Sequence, residues 1–241
     1  MALDDFKKRT KETDTEDQTG ITLVLVTPFT WDSSKTAMTL DSWVAARKAD
    51  SNWKDVVLID GPKLEHWLDH APAVAAHWAR GAIRNFPISG IQSTDEYWRE
   101  FSGRFDPRIV EKLLTTERED VAEQLLKVLM GPPQQITIVA DAPEFATAFA
   151  VAAIRSTKEE MREFVEARTL VVDTMEAGRE LLGHDNMAFL LRDKAARSPT
   201  SFSERGPTVV PLARWHRSSN GIPLIVQTSF ATKQVLLEMN L

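Results

Sequence analysis

The sequence predicts an α/β protein of two units, and three observations carry that reading. Short runs of β-branched and aliphatic residues alternate with helical patterns from residue 136 onward, which argues for a largely parallel sheet with helices on its faces. Two similar runs, 21–27 and 56–59, stand apart near the N-terminus. Between the two groups, residues 86–90 (Phe-Pro-Ile-Ser-Gly) have the composition of a linker. The expected organisation is a first unit over 1–85, a linker and short helix over 86–106, and a second unit over 107–241.

Taken in order, residues 4–11 are charged with helical spacing and read as the end of a helix, and 12–20 read as a solvated loop. Residues 21–27 (Ile-Thr-Leu-Val-Leu-Val-Thr), closed by Pro28, read as a buried strand. A helix over 41–49 places Trp43 and Val44 on its apolar side. Residues 56–59 form a second short buried strand, which Asp60-Gly61-Pro62 turns into a helix with Leu64, Trp67, Leu68 and Ala71 on one face. Another helix covers 73–82. Ser93-Thr-Asp-Glu96 is a capping box opening a helix that carries Tyr97, Trp98 and Phe101, and it accounts for the Asp95–Glu96 pair. Asp106-Pro107 is expected to start a further helix, and Thr116-Glu-Arg-Glu119 to cap another that ends before Gly131. Strands at 136–140, 169–173, 187–191, 208–212 and 222–227 then alternate with helices at 143–155 and 175–182. The acidic residues of 159–166 read as the solvated side of a charged helix, paired with Lys158, Arg162 and Arg168.

The 241 residues are 43% hydrophobic and 27% charged, the range of ordinary globular chains. No apolar run approaches the roughly 20 residues of a membrane-spanning helix. The first ten residues have no apolar core of the kind a signal peptide needs. Cysteine is absent, which excludes disulfides, thiolate metal ligands and cysteine nucleophiles. A cytoplasmic prokaryotic protein is the expectation. The net charge of −6 argues against autonomous, tight binding to nucleic-acid phosphates, while leaving room for a local basic patch.

The junction after 136–140 bears most directly on function. A phosphate-binding loop there needs glycines, whose backbone N–H groups wrap the phosphate, and a lysine. The sequence has Asp141-Ala142-Pro143-Glu144-Phe145-Ala146, with neither residue type and with two carboxylates that repel a phosphate. Asp141, Ala142 and Glu144 therefore mark a degenerate nucleotide loop. Asp173 reads as an ordinary strand-end residue in place of a metal-holding acid.

Residues 22–28 (Thr-Leu-Val-Leu-Val-Thr-Pro), a tryptophan-bearing helix, and 56–64 (Val-Val-Leu-Ile-Asp-Gly-Pro-Lys-Leu) resemble the C-terminal half of an Mrr-type restriction-endonuclease-like domain. The order of elements after Glu117-Arg118-Glu119 is similar to the core of STAND NTPases. The pairing resembles large bacterial defence-type proteins that join the two. The resemblance implies a partial restriction-endonuclease-like α/β unit followed by a degenerate P-loop NTPase-like unit. In the nuclease family an aspartate and an (D/E)-x-K set hold Mg²⁺ and place the attacking water. That set precedes the segment matched here, so the catalytic half is expected to be missing, either because the chain is a fragment or because a short form has lost the chemistry.

Two basic clusters are candidate nucleic-acid contacts: Lys7, Lys8, Arg9 and Lys11 near the N-terminus, and Arg192, Lys194, Arg197 and Arg205 in a stretch, 192–207, read as a mobile solvated loop. His66 and His70 stand four apart on a helix, but the order of Glu65 and His66 departs from the H-E-x-x-H zinc pattern, so no metal site is expected. Six of the seven tryptophans fall between Trp31 and Trp98 and read as core anchors, with a base-stacking surface as the sharper alternative. The expected function is a non-catalytic assembly or nucleic-acid-sensing part of a prokaryotic anti-phage defence protein, with a protein partner or self-association and no cofactor. One alternative is an Mg²⁺-dependent DNA nuclease drawing its acids, such as Asp4 or Asp5, from the N-terminal segment or a partner chain. Another is a protein–protein module using exposed tryptophans such as Trp31 and Trp98.

Overall fold

The computed structural model describes residues 2–82, 90–184, 186–213 and 222–225. The fold is α/β with predominantly parallel sheets, and the chain divides into two compact units, Met1–Leu68 and Asp69–Leu241.

In the first unit, helix α1 (Ala2–Glu12) buries Phe6 and leaves its charged residues in solvent. A short helix, α2 (Thr15–Gln18), replaces the solvated loop expected over 12–20. Gln18 is the reason: its buried amide donates to the carbonyls of Thr10 and Thr13 at 2.9 and 2.7 Å, fastening α2 to α1. Strand β1 (Thr22–Val26) leads through α3 (Ser33–Thr36), capped by Asp32, and α4 (Leu40–Ala49), capped by Thr39, to strand β2 (Asp55–Ile59). The strands pair in parallel, from Thr22 opposite Asp55 to Val26 opposite Ile59. Phe6, Trp43, Trp53, Val56 and Leu58 form the core.

Both strands were expected to be buried, but β2 is buried on one face only and the inner face of β1 (Leu23, Leu25) is only half-buried. Their residues alternate, as a pleat requires, so Val56 and Leu58 point into the core while Val24, Val26 and Val57 lie exposed. Helix α5 (Gly61–His70) starts at the expected turn, where a Cβ on Gly61 would come within 2.8 Å of the Pro28 carbonyl oxygen. Its predicted apolar face is not buried: Trp67 is 57% exposed, and only Ala71, just past the helix, is enclosed.

The second unit opens with α6 (Pro72–Ala82), followed by β3 (Ile91–Ser93) and α7 (Thr94–Ser102), which starts at the expected Ser93–Glu96 capping box. The expected linker residues 86–89 lie outside the described residues. Helix α8 (Glu111–Thr115) begins four residues after the predicted Pro107 start, because 103–107 form turns and bends. Thr116 does not cap α9 (Glu119–Leu129); its hydroxyl donates to the Lys112 carbonyl and closes α8, and Arg118 takes the cap position. Then come β4 (Gln135–Ala140), α10 (Pro143–Arg155), α11 (Glu159–Glu166), β5 (Thr169–Val172), α12 (Met175–Arg179), β6 (Ala188–Leu191), α13 (Thr200–Ser203), β7 (Thr208–Ala213) and β8 (Ile222–Ile225).

The sheet order is β3-β5-β6-β7-β4-β8, and every pair is parallel except β3 with β5. Alternate residues feed two cores. Val171, Leu190 and Val209 pack with Tyr97, Phe101, Leu125 and Phe149 of α7, α9 and α10. Leu170, Val172, Phe189, Leu191 and Val210 pack with α6, α12 and Phe202 of α13. Helices thus cover both faces, as a parallel sheet requires. Helix α10 is buried from Ala146 to Ile154, and its alanines let it lie close to its neighbours.

The segment over 192–207 keeps many residues exposed, as a solvated loop would, but it also contains a 3-10 turn (Ala195–Arg197) and α13 and is anchored by buried side chains. Ala195 and Phe202 are fully buried, and the Phe202 ring occupies space that a Cβ on Gly178 would invade at 2.4 Å. Of the six clustered tryptophans, Trp43, Trp53 and Trp98 are buried and Trp31 is half-buried, whereas Trp67 and Trp78 are exposed. Trp98 is therefore a core residue and not an exposed aromatic. Glu166 departs from the solvated reading as well: it is half-buried, 3.7 Å from Arg155, a residue that also binds Asp95 and Glu111 at 3.0 and 2.8 Å. Among the described residues, no helix is long and apolar enough to cross a membrane.

Candidate functional site

In an open parallel sheet the carboxyl ends of the strands form the edge where ligands bind, since the loops that follow them converge there. Strand β4 is inserted between β7 and β8, and helix α10 leaves it at that edge. A crevice of about 290 Å³ opens there, lined by Pro143, Glu144 and Thr147 of α10, Arg192 and Asp193 after β6, and Pro211 of β7. This volume lies just below the usual range for small-molecule sites, ~300–1,000 Å³.

The first turn of α10 holds the residues that the sequence marks as a degenerate nucleotide loop. Asp141 is exposed, Ala142 occupies the N-cap without any side-chain capping bond, Pro143 follows at N1, and Glu144 comes next. A helix N-terminus attracts negative charge, and a phosphate would take this position in a nucleotide site. Here the chain supplies its own anion. Glu144 is hydrogen-bonded to the Arg104 guanidinium, and its backbone carbonyl accepts a bond from the Tyr97 hydroxyl at 3.2 Å.

From Glu144 a continuous polar chain runs along the edge. Arg104 also donates to Glu100 at 2.7 Å, and Gln92 donates to the other Glu100 oxygen at 2.7 Å. The Gln92 oxygen lies 3.4 Å from Arg192, whose guanidinium sits over the Tyr97 ring, 5.2 Å from its centroid, and 3.6 Å from Asp173. The electrostatics follow from these partners. The hydrogen bonds from Gln92 and then Arg104 hold the Glu100 carboxyl below its ordinary value, and Glu100 in turn raises Arg104. Burial pushes the Tyr97 phenol up. Burial also raises Asp173 against the opposing pull of Arg192, and its Oδ1 is buried without a hydrogen bond.

Of the predicted basic residues, Arg192 alone lines this crevice. Lys194, Arg197 and Arg205 are exposed on the segment beyond it. Lys7, Lys8, Arg9 and Lys11 are exposed on α1, where Lys8 and Arg9 lie 4.0 and 3.3 Å from Glu12. Asp4 and Asp5 occupy the first turn of the same helix. Among the described residues, no group of three or more histidines, cysteines or acids is placed to hold a metal ion. Sequence reasoning missed Gln92, Glu100, Arg104 and Thr147. The i,i+4 spacing of Glu100 and Arg104 was readable as a pair, but nothing local links Arg104 to Glu144. No family model, curated protein or solved structure matches this chain.

Proposed function

We propose that this chain is a non-catalytic part of a prokaryotic anti-phage defence protein, acting in assembly or nucleic-acid sensing, with a nuclease-like first unit and a degenerate P-loop-like second unit. The observation that carries the reading is the Glu144 carboxylate in the first turn of α10, paired with Arg104 where a nucleotide phosphate would need glycine N–H groups and a lysine. The place of β4, flanked by the parallel strands β7 and β8 and followed directly by α10, supports a nucleotide-core ancestry for the layout. The exposed cations of α1 supply the side available to nucleic acid.

The test is an assay of the full chain with Mg²⁺ against duplex DNA and against ATP and GTP. The expected result is no cleavage and no hydrolysis, with an oligonucleotide mobility shift or a concentration-dependent increase in mass by sedimentation. Mg²⁺-dependent cleavage abolished by Asp4→Ala or Asp5→Ala would overturn this reading in favour of a nuclease. A second reading, a protein–protein interaction module, is favoured by Trp67 and Trp78, which are 57% and 70% exposed. It predicts self-association that Trp78→Ala weakens while the fold stays intact.

A further inference from the structure

The first unit contains a larger concavity of different character. It encloses about 510 Å³, within the range of small-molecule sites, and lies where the chain leaves β1. Phe29, Trp31 and Trp43 give it three aromatic walls, and its charged lining is Lys35 and Arg47 with one carboxylate, Asp32. Phe29 is 65% exposed although it is a large apolar ring, so its face is open to a ligand.

Two of the three aromatic walls, Trp31 and Trp43, are held in place. Trp31 donates its ring N–H to the Met38 carbonyl at 3.0 Å and its backbone N–H to Asp60 at 3.3 Å. Its ring lies 5.5 Å from that of Trp43 at an angle of 58°. The cation is held too: the Arg47 guanidinium sits 5.8 Å from the centroids of both Phe6 and Trp43, and 3.2 Å from Asp50. Its Nε–H is nevertheless buried without a hydrogen-bond partner, an unmet donor. Lys35 lies 3.3 Å from Asp32, but its side chain is 83% exposed, so solvent screens that pair.

Aromatic faces beside cationic donors select a flat aromatic ring that carries negative charge. We propose that this cavity binds a nucleobase together with its phosphate, either as a free mononucleotide or as part of a single strand. Base–aromatic stacking against Phe29 and Trp31 would supply the affinity, and Arg47 and Lys35 would receive the phosphate. The proposal deepens the sensing half of the proposed function. Its failure leaves the predicted lack of catalysis untouched, because it involves none of the second unit's residues.

The experiment titrates the full chain with AMP and dTMP by calorimetry, and with a labelled oligo-dT by fluorescence anisotropy at two salt concentrations. At least one ligand is expected to bind. Phe29→Ala should weaken that binding about tenfold. Lys35→Ala should weaken it less and, with the oligonucleotide, reduce the salt slope by about one. Both substituted side chains are exposed, and circular dichroism checks that each variant is folded. Mononucleotide binding without strand binding assigns the site to a free nucleotide, and tighter oligonucleotide binding assigns it to a strand. Absence of binding to all three at about 1 mM, or binding that both folded variants leave unchanged, would overturn the proposal.

Discussion

The two units write their parallel strands in nearly the same letters and bury them differently. Thr22-Leu-Val-Leu-Val26 in the first is exposed at every second residue, whereas Thr169-Leu-Val-Val172 in the second is buried throughout. The composition of a strand therefore does not decide its burial; the layers around it do. The second sheet has helices on both faces and six strands, so both sets of alternating side chains find a core. The first has two strands and one buried face, and its core depends on Phe6, Trp43 and Trp53 to enclose two strand residues.

Stability measurements on each side sharpen this contrast. The largest effect is expected at Phe149, fully buried on α10: Phe149→Ala should cost about 3–5 kcal/mol in urea unfolding. Next comes Arg155, which is three-quarters buried and holds Asp95, Glu111 and Glu166 together. Arg155→Met leaves those carboxylates facing one another and should cost about 2 kcal/mol, measured in the same way.

A smaller effect depends on pH. Burial raises the Asp173 carboxyl above its ordinary 3.8 in the folded chain. The folded state thus holds this proton more tightly than the unfolded state, so the group's contribution to stability is complete at low pH and is lost as pH rises through the folded value. Asp173→Asn lacks that loss. The stability difference between variant and wild type should shift toward the variant as pH rises from about 4 to about 7, as denaturation curves across that range would show. The smallest effect belongs to the first unit's open face: Val26→Thr, at a residue 58% exposed, should change stability by no more than about 0.5 kcal/mol. A cost as large as that of a core valine would mean that this face is covered in solution.

What was legible in the sequence was what local chemistry decides. The Ser93–Glu96 capping box, the helix starting at Pro143, and the turn at Gly61 all depend on residues within a few positions of one another. What was not legible depends on distant partners. Glu144 meets Arg104 across 40 residues, and Gln92 meets Arg192 across 100, so the polar chain at the sheet edge has no local signature. Residues 192–207 look solvated because serine, proline and arginine dominate them, yet the burial of Phe202 is made possible by Gly178, far upstream. The carboxylates and missing glycines at 141–146 were readable, but the arginine that answers Glu144 was not.

The proposal that matters most is that the Glu144–Arg104 ion pair takes the place of a nucleotide phosphate at the start of α10. Calorimetric titration of the full chain with ATP and Mg²⁺, for wild type and Arg192→Ala, tests it most directly. The account predicts no saturable binding at this crevice up to millimolar nucleotide, and so no difference between the two proteins. Micromolar binding that Arg192→Ala weakens would contradict it.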